Sequence, residues 1–199
     1  MKKDHRNIAV VFGRLVEFEE KTSVGKKKYL QVQIECPNDI HGNVKIYGRI
    51  WHKPKIDSLL AELKNRGELW KGITLRFDGF MEQYSKEGQI KTNFTFYHWR
   101  PYKGDELRAA FTLRGEVKQV MPISDGDHEV LLYINRPAGG DYMQEEELVL
   151  FSEDDAGIAP LTTVKIKGVI AHQGEEDYFG ESSGVFKPYI LKVEEQDEI

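Results

Sequence analysis

Cysteine is almost absent from this sequence: Cys36 is the single example in 199 residues. That excludes an intramolecular disulfide and any cluster of cysteine metal ligands, and it suits a reducing compartment. Long apolar runs are missing as well. The opening M-K-K-D-H-R-N lacks the apolar core of a secretory signal, and no later run approaches the length of a membrane span. A cytoplasmic protein with no membrane partner is expected. Catalytic signatures are missing too: there is no G-x-x-x-x-G-K-[ST], no H-E-x-x-H and no G-x-S-x-G. The histidines His5, His41, His52, His98, His128 and His172 are scattered without metal-ligand spacing. Asp125, Asp127 and Glu129 come nearest to a carboxylate cluster, but D-G-D between two strands reads more simply as a hairpin turn. No catalytic residue, metal or cofactor is assigned, and an enzyme is not expected.

What is present is an uneven charge distribution. The net charge of −5 argues by itself against a polyanion partner. Residues 1–104, however, hold 20 Lys and Arg against 12 Asp and Glu, whereas residues 105–199 hold 8 against 21. All three tryptophans, Trp51, Trp70 and Trp99, fall in the basic part. Two domains with different partners follow, 1–104 basic and 105–192 acidic, with a short acidic tail over 193–199.

Alternation of apolar and polar residues predicts a mainly β chain. In the basic part, strands are expected over 8–18, 29–36, 42–53, 72–80 and 90–99, with one amphipathic helix over 55–65 between the third and fourth. Within the helix Ile56, Leu59, Leu60 and Leu63 share a face, and Gly67 can end it. The stretches 19–28 and 82–89 read as loops, and R-P-Y-K-G-D-E-L as a linker. A mid-strand glycine, Gly13, suggests a bulge or sharp coil. On the fifth strand Phe94 and Phe96 oppose Tyr97 and Trp99, and the pattern does not choose the core pair. Three strands, a helix and two strands is the order of an OB-fold, a five-stranded Greek-key barrel.

The acidic part repeats the pattern without the helix. Strands are expected over 111–120, 129–137, 147–152, 162–172 and 185–193, and T-T-V-K-I-K-G-V-I-A-H parallels I-T-L-R-F-D-G-F-M-E-Q. Two tandem OB-fold barrels, the second reduced, are expected.

The third strand carries the functional signal. Val44, Ile46, Gly48 and Ile50 take one face, and Lys45, Tyr47, Arg49 and Trp51 the other. Two rings between two cations make a surface on which bases stack while phosphates meet the charges. Tyr29, Gln31 and Gln33 of the second strand share that face, the loop between strands one and two adds Lys26, Lys27 and Lys28, Arg76 adds a cation on strand four, and the last hairpin adds Tyr84 and Lys86. OB-folds bind ligands across the face of strands two and three and the adjoining loops. In the acidic part the matching strand lacks this stripe, and Glu145, Glu146, Glu147, Glu153, Asp154 and Asp155 would repel phosphate. That barrel is expected to dock on its neighbour, dimerise or recruit proteins.

A basic first barrel, an aromatic third strand and an acidic tail ending in an apolar residue resemble the OB-fold single-stranded DNA-binding proteins, of a tandem-barrel type found in phage or mobile elements. The usual bacterial members have one barrel and a longer tail. The resemblance implies non-enzymatic binding and protection of single-stranded DNA in replication and recombination, in a bacterial or phage-infected host cytoplasm, with possible self-association. The tail, Glu194, Glu195, Asp197, Glu198 and Ile199, is expected as a solvated end; its functional reading is a docking peptide for replication or recombination proteins. A protein-interaction module using the same aromatic face, and RNA or oligosaccharide binding, remain open as alternatives.

Overall fold

Strand β1 (Arg6–Thr22) begins with Ala9, Val11 and Leu15 fully buried, as alternation requires. These residues belong to a computed structural model that describes residues 5–38, 42–86, 88–123, 126–139, 142–153, 157–173 and 185–198. The irregularity in β1 falls between Leu15 and Glu17 rather than at Gly13. One residue is inserted there, so the parity flips and Phe18 turns inward while Glu17 and Glu19 face out. The strand also runs past the expected turn, because Glu19, Glu20, Lys21 and Thr22 pair with Gln31, Leu30, Tyr29 and Lys28.

Four more strands and one helix complete the first fold: β2 (Lys28–Asn38), β3 (Gly42–Ile50), α1 (Lys53–Arg66), β4 (Thr74–Lys86) and β5 (Gln89–Pro101). β1 pairs with β2 and with β4, β2 with β3, β3 in parallel with β5, and β5 with β4, so the five strands close on themselves. This is the OB-fold barrel with its helix between the third and fourth strands. Its core is filled by Leu30, Val32, Ile34, Ile46, Ile50, Leu75, Phe77, Phe94 and Phe96. The core pair on β5 is therefore Phe94 and Phe96. Their rings lie 5.9 Å apart and nearly parallel, and Phe96 also meets Phe77 at 4.8 Å.

Helix α1 starts two residues earlier than the apolar spacing suggests. Pro54 sits in its first turn, where a missing N–H costs nothing. The helix packs on β2 and β3, burying Ile56, Leu59 and Leu63, and Gly67 ends it at a φ of 58°. Trp99 anchors it from β5, donating its indole N–H to the Lys55 carbonyl at 3.0 Å. The stretch expected as a linker is held too. Tyr102 donates its backbone N–H to Thr74 O at 3.0 Å and packs its ring on Phe12 at 4.6 Å. Among the described residues no helix is long and apolar enough to cross a membrane.

The acidic part supplies β6 (Arg108–Pro122), β7 (Asp127–Gly139), β8 (Tyr142–Glu153), β9 (Thr162–Gln173) and β10 (Val185–Glu198). β6 pairs with β7 and β9, β7 with β8, and β9 with β10, in the same order as in the barrel. Between β8 and β10 one parallel pair is aligned among the described residues, Phe151 with Tyr189. Two glycines occupy matching places in the two sets of strands. A Cβ on Gly79 would lie 2.1 Å from the Thr95 carbonyl oxygen, and one on Gly168 would lie 2.1 Å from that of Tyr189. The fourth strand of each set needs glycine there because the main chain of the neighbouring fifth strand lies too close to admit a Cβ.

The chain folds as two compact units: Ala9–Met81 with Asn93–Ala109, and Met1–Ile8 with Glu82–Thr92 and Ala110–Ile199. In the second unit Asn7 donates its side-chain amide to Glu146 at 2.9 Å, and the Asn135 N–H donates to His5 Nδ1 at 2.8 Å. Asp125 of the D-G-D turn, Asp154 and Asp155, most of the glycine- and acid-rich stretch after β9, and Ile199 lie outside the described residues.

Candidate nucleic-acid interface

The register between β2 and β3 decides which side chains stand together. Gln31 lies opposite Arg49, Gln33 opposite Tyr47, and Glu35 opposite Lys45. Apolar residues of both strands point into the barrel, which leaves these on the outer face. Tyr47 is 42% exposed and presents an open ring. Trp51 follows the end of β3, with its ring 4.6 Å from that of Tyr29 at an angle of 35°. The Arg49 guanidinium lies 5.8 Å from the centre of the same tyrosine ring, within cation–π range. Arg49, Tyr29 and Trp51 thus form one cluster, and Tyr47 stands one turn of the pleat away from it.

Neither Lys45 nor Arg49 is ion-paired among the described residues. Two long cations without carboxylate partners beside three rings can receive phosphate groups and stacked bases together. Next to Tyr29 a tight turn carries the lysines. Ser23 N–H donates to Lys27 O at 2.8 Å, Lys26 N–H to Ser23 O at 2.9 Å, and Lys27 N–H to the Ser23 hydroxyl at 3.1 Å. Lys26 adopts a φ of 60°, and Lys26, Lys27 and Lys28 are all exposed.

Other expected residues lie elsewhere. Arg76 is on β4, opposite Phe12 of β1. Its guanidinium donates twice to Asp78 Oδ1, at 2.9 and 2.6 Å, and lies 5.2 Å from the Phe12 ring. The hydrogen bond to Asp78 raises its pKa, so this cation is already engaged. Tyr84 and Lys86 are exposed, but they sit in Glu82–Thr92, which belongs to the second unit. There Gln83 bonds the main chain of Val149, donating to its carbonyl at 2.9 Å and accepting from its N–H at 2.7 Å.

The tail also has a place. Residues 193–198, expected as a solvated end, continue β10 alongside β9. Glu194 pairs with Lys165 at 3.0 Å and with Lys167, while Glu195 meets Lys165 at 3.3 Å and Arg114 at 3.4 Å. Hydrogen bonds from Lys167 and Lys165 hold the Glu194 carboxyl below its ordinary pKa, and the two glutamates raise that of Lys165. On β8, Glu147 lies opposite Tyr133 and Val149 opposite Leu131, while Lys187 covers the Phe151 ring at 4.3 Å.

Reading by alternation missed Glu17, Glu19 and Lys21. They line the same face as Gln31, Gln33 and Tyr47, next to the shifted stretch of β1. The signal was present in E-F-E-E-K, where Phe18 between acids already alternates. Cys36 plays no part: burial pushes its thiol up to about 12, and it donates to Phe12 O at 3.3 Å.

The chain is similar to two solved structures of the single-stranded DNA binding protein from Thermus aquaticus. The wild-type structure matches with a TM-score of 0.62 and 13% identity, over 96% of this chain and 92% of that one. A deletion mutant of it matches with a TM-score of 0.57 and 14% identity, over 96% and 94%. At such identity the likeness is one of fold. No protein-family model matches the chain, and no curated protein does.

Proposed function

We propose that this chain binds single-stranded DNA without catalysis, protecting strands during replication and recombination. The observation that carries the reading is the outer face of β2 and β3, where Lys45 and Arg49, without ion-pair partners among the described residues, flank the open ring of Tyr47 beside the Tyr29–Trp51 pair. Bases stack on Tyr47 and Trp51, and Lys26, Lys27, Lys28, Lys45 and Arg49 hold phosphates. Residues 1–104 do the binding. Residues 105–192 form a second, reduced barrel that serves self-association or protein contacts, and residues 193–199 contribute acidic groups to those contacts.

A titration of labelled single strands at two salt concentrations tests this. Affinity should fall with salt at a slope of about −0.7 per phosphate neutralised. The pair Lys45→Glu and Arg49→Glu should weaken binding strongly and flatten that slope. Unchanged DNA binding with an altered oligomeric mass would instead identify the face as a protein interface.

A further inference from the structure

Beside Tyr47 the surface sinks into a groove lined by Glu17, Glu19, Lys21, Gln31 and Gln33. Two rows of side chains cross it: Glu17, Gln33 and Tyr47 in one, Glu19, Gln31 and Arg49 in the other. The inserted residue after Leu15 is what brings the carboxylates here, since uninterrupted parity would turn position 17 into the core. Gln33 is only 9% exposed, and its side-chain amide has no hydrogen-bond partner among the described residues. Its amide is open to water in the groove, where an entering polar group would take the place of that water. It offers one acceptor and two donors. Glu17 is exposed, is not ion-paired among the described residues, and offers acceptors only. Glu19 is held by Lys21 at 3.0 Å.

We propose that this groove reads the edge of the base stacked on Tyr47 and selects bases that carry an exocyclic amino group over thymine and uracil. The inference rests on the nucleic-acid reading above and adds a base preference to it. An amino group such as cytosine N4 donates to the Glu17 carboxylate or to Gln33 Oε1, while Gln33 Nε2 donates to the ring nitrogen beside it. Uracil and thymine place a carbonyl oxygen where that amino group would be. There it faces a carboxylate, acceptor against acceptor, and the edge loses its water without a replacement. The same carboxylates repel phosphate. They therefore keep the backbone on the far side of Tyr47, along Lys45 and Arg49 of β3, with the bases pointing toward β2 and β1.

Deoxycytidine and deoxyuridine homo-oligomers of equal length differ at the amino group and its neighbouring ring nitrogen, and so isolate the effect. The full chain at neutral pH should bind the cytidine oligomer about fivefold or more tightly. That ratio should survive added salt while both affinities fall. In the double variant Glu17→Gln, Glu19→Gln both oligomers should bind more tightly, because charge is removed, and the ratio should approach one. Equal affinities for the two oligomers in the unsubstituted chain overturn the base preference and leave DNA binding standing. A ratio unchanged in the double variant overturns its assignment to these carboxylates. If neither oligomer binds, the DNA-binding reading falls and this inference falls with it.

Discussion

The ring of Phe96 lies directly over Gly48, so close that a Cβ at position 48 would stand 2.0 Å from its Cε2 atom. This contact is made where β3 and β5 run in parallel and close the barrel. Phe96 cannot yield, since it is 1% exposed and packed between Phe94 and Phe77. Gly48→Ala should therefore destabilise the fold by about 1–3 kcal/mol through overpacking. Chemical denaturation checks it: the midpoint should fall with little change in slope. A variant as stable as the parent would mean that the seam is loosely packed.

Tyr47 and Trp51 should behave differently when truncated. Tyr47 is 42% exposed, so Tyr47→Ala should leave the melting temperature nearly unchanged and weaken single-strand binding by about 1–3 kcal/mol. Trp51 is already packed on Tyr29, so Trp51→Ala should lose some stability along with affinity. Fluorescence can follow this directly. Trp70 is packed against Phe18 and Trp99 is hydrogen-bonded to Lys55, so quenching on DNA addition should disappear chiefly in Trp51→Phe.

Gln83 makes a two-way bond to the Val149 main chain, as a neighbouring strand would. Gln83→Ala leaves a peptide group without its partner, and a loss of about 1–3 kcal/mol is expected. Gln83→Glu should be at least as harmful, because an ionised carboxylate cannot donate to the Val149 carbonyl. Hydrogen exchange at the Val149 amide separates the two bonds: Gln83→Ala removes its acceptor and should speed exchange, whereas Gln83→Glu keeps an acceptor oxygen and should leave the amide protected; unchanged protection in Gln83→Ala would contradict the bond.

The end of β10 should open in acid. The Glu194 pKa is lowered in the folded chain by hydrogen bonds from Lys167 and Lys165, so its contribution is complete above the ordinary carboxyl value of 4.5 and is lost as pH falls through the lower folded value. Lys165 is raised, so its contribution is present below 10.5 and is lost as pH rises through its higher folded value. These groups are half-buried at the surface, and salt should weaken the pairing as well. Hydrogen exchange of the amides paired between β9 and 193–198 should show steady protection between those limits and loss in acid. Protection that persists in strong acid would mean that main-chain pairing alone holds the strand.

Much of this was legible without coordinates. The alternation of Val44, Ile46, Gly48 and Ile50 against Lys45, Tyr47 and Arg49 reappears as buried and outward-facing positions of β3. The apolar spacing of Ile56, Leu59 and Leu63 marks the buried face of α1. Each is a local matter: backbone periodicity alone decides which residues share a face.

Other features depend on partners distant in the chain. Phe94 and Phe96 are chosen over Tyr97 and Trp99 by the ring of Phe77 on the neighbouring strand, and residues 82–92 by Val149 on β8. Residues 193–198 become strand because β9 offers both a hydrogen-bonding edge and Lys165 to carboxylates that looked destined for solvent. Most consequential is the extra residue after Leu15, which turns Glu17 and Glu19 onto the face of Tyr47. Composition and alternation determined a basic β-barrel with a ringed and charged third strand. Which acids stand beside those rings was decided only by pairing, because one inserted residue reverses every side chain beyond it and only the neighbouring strand fixes where it falls.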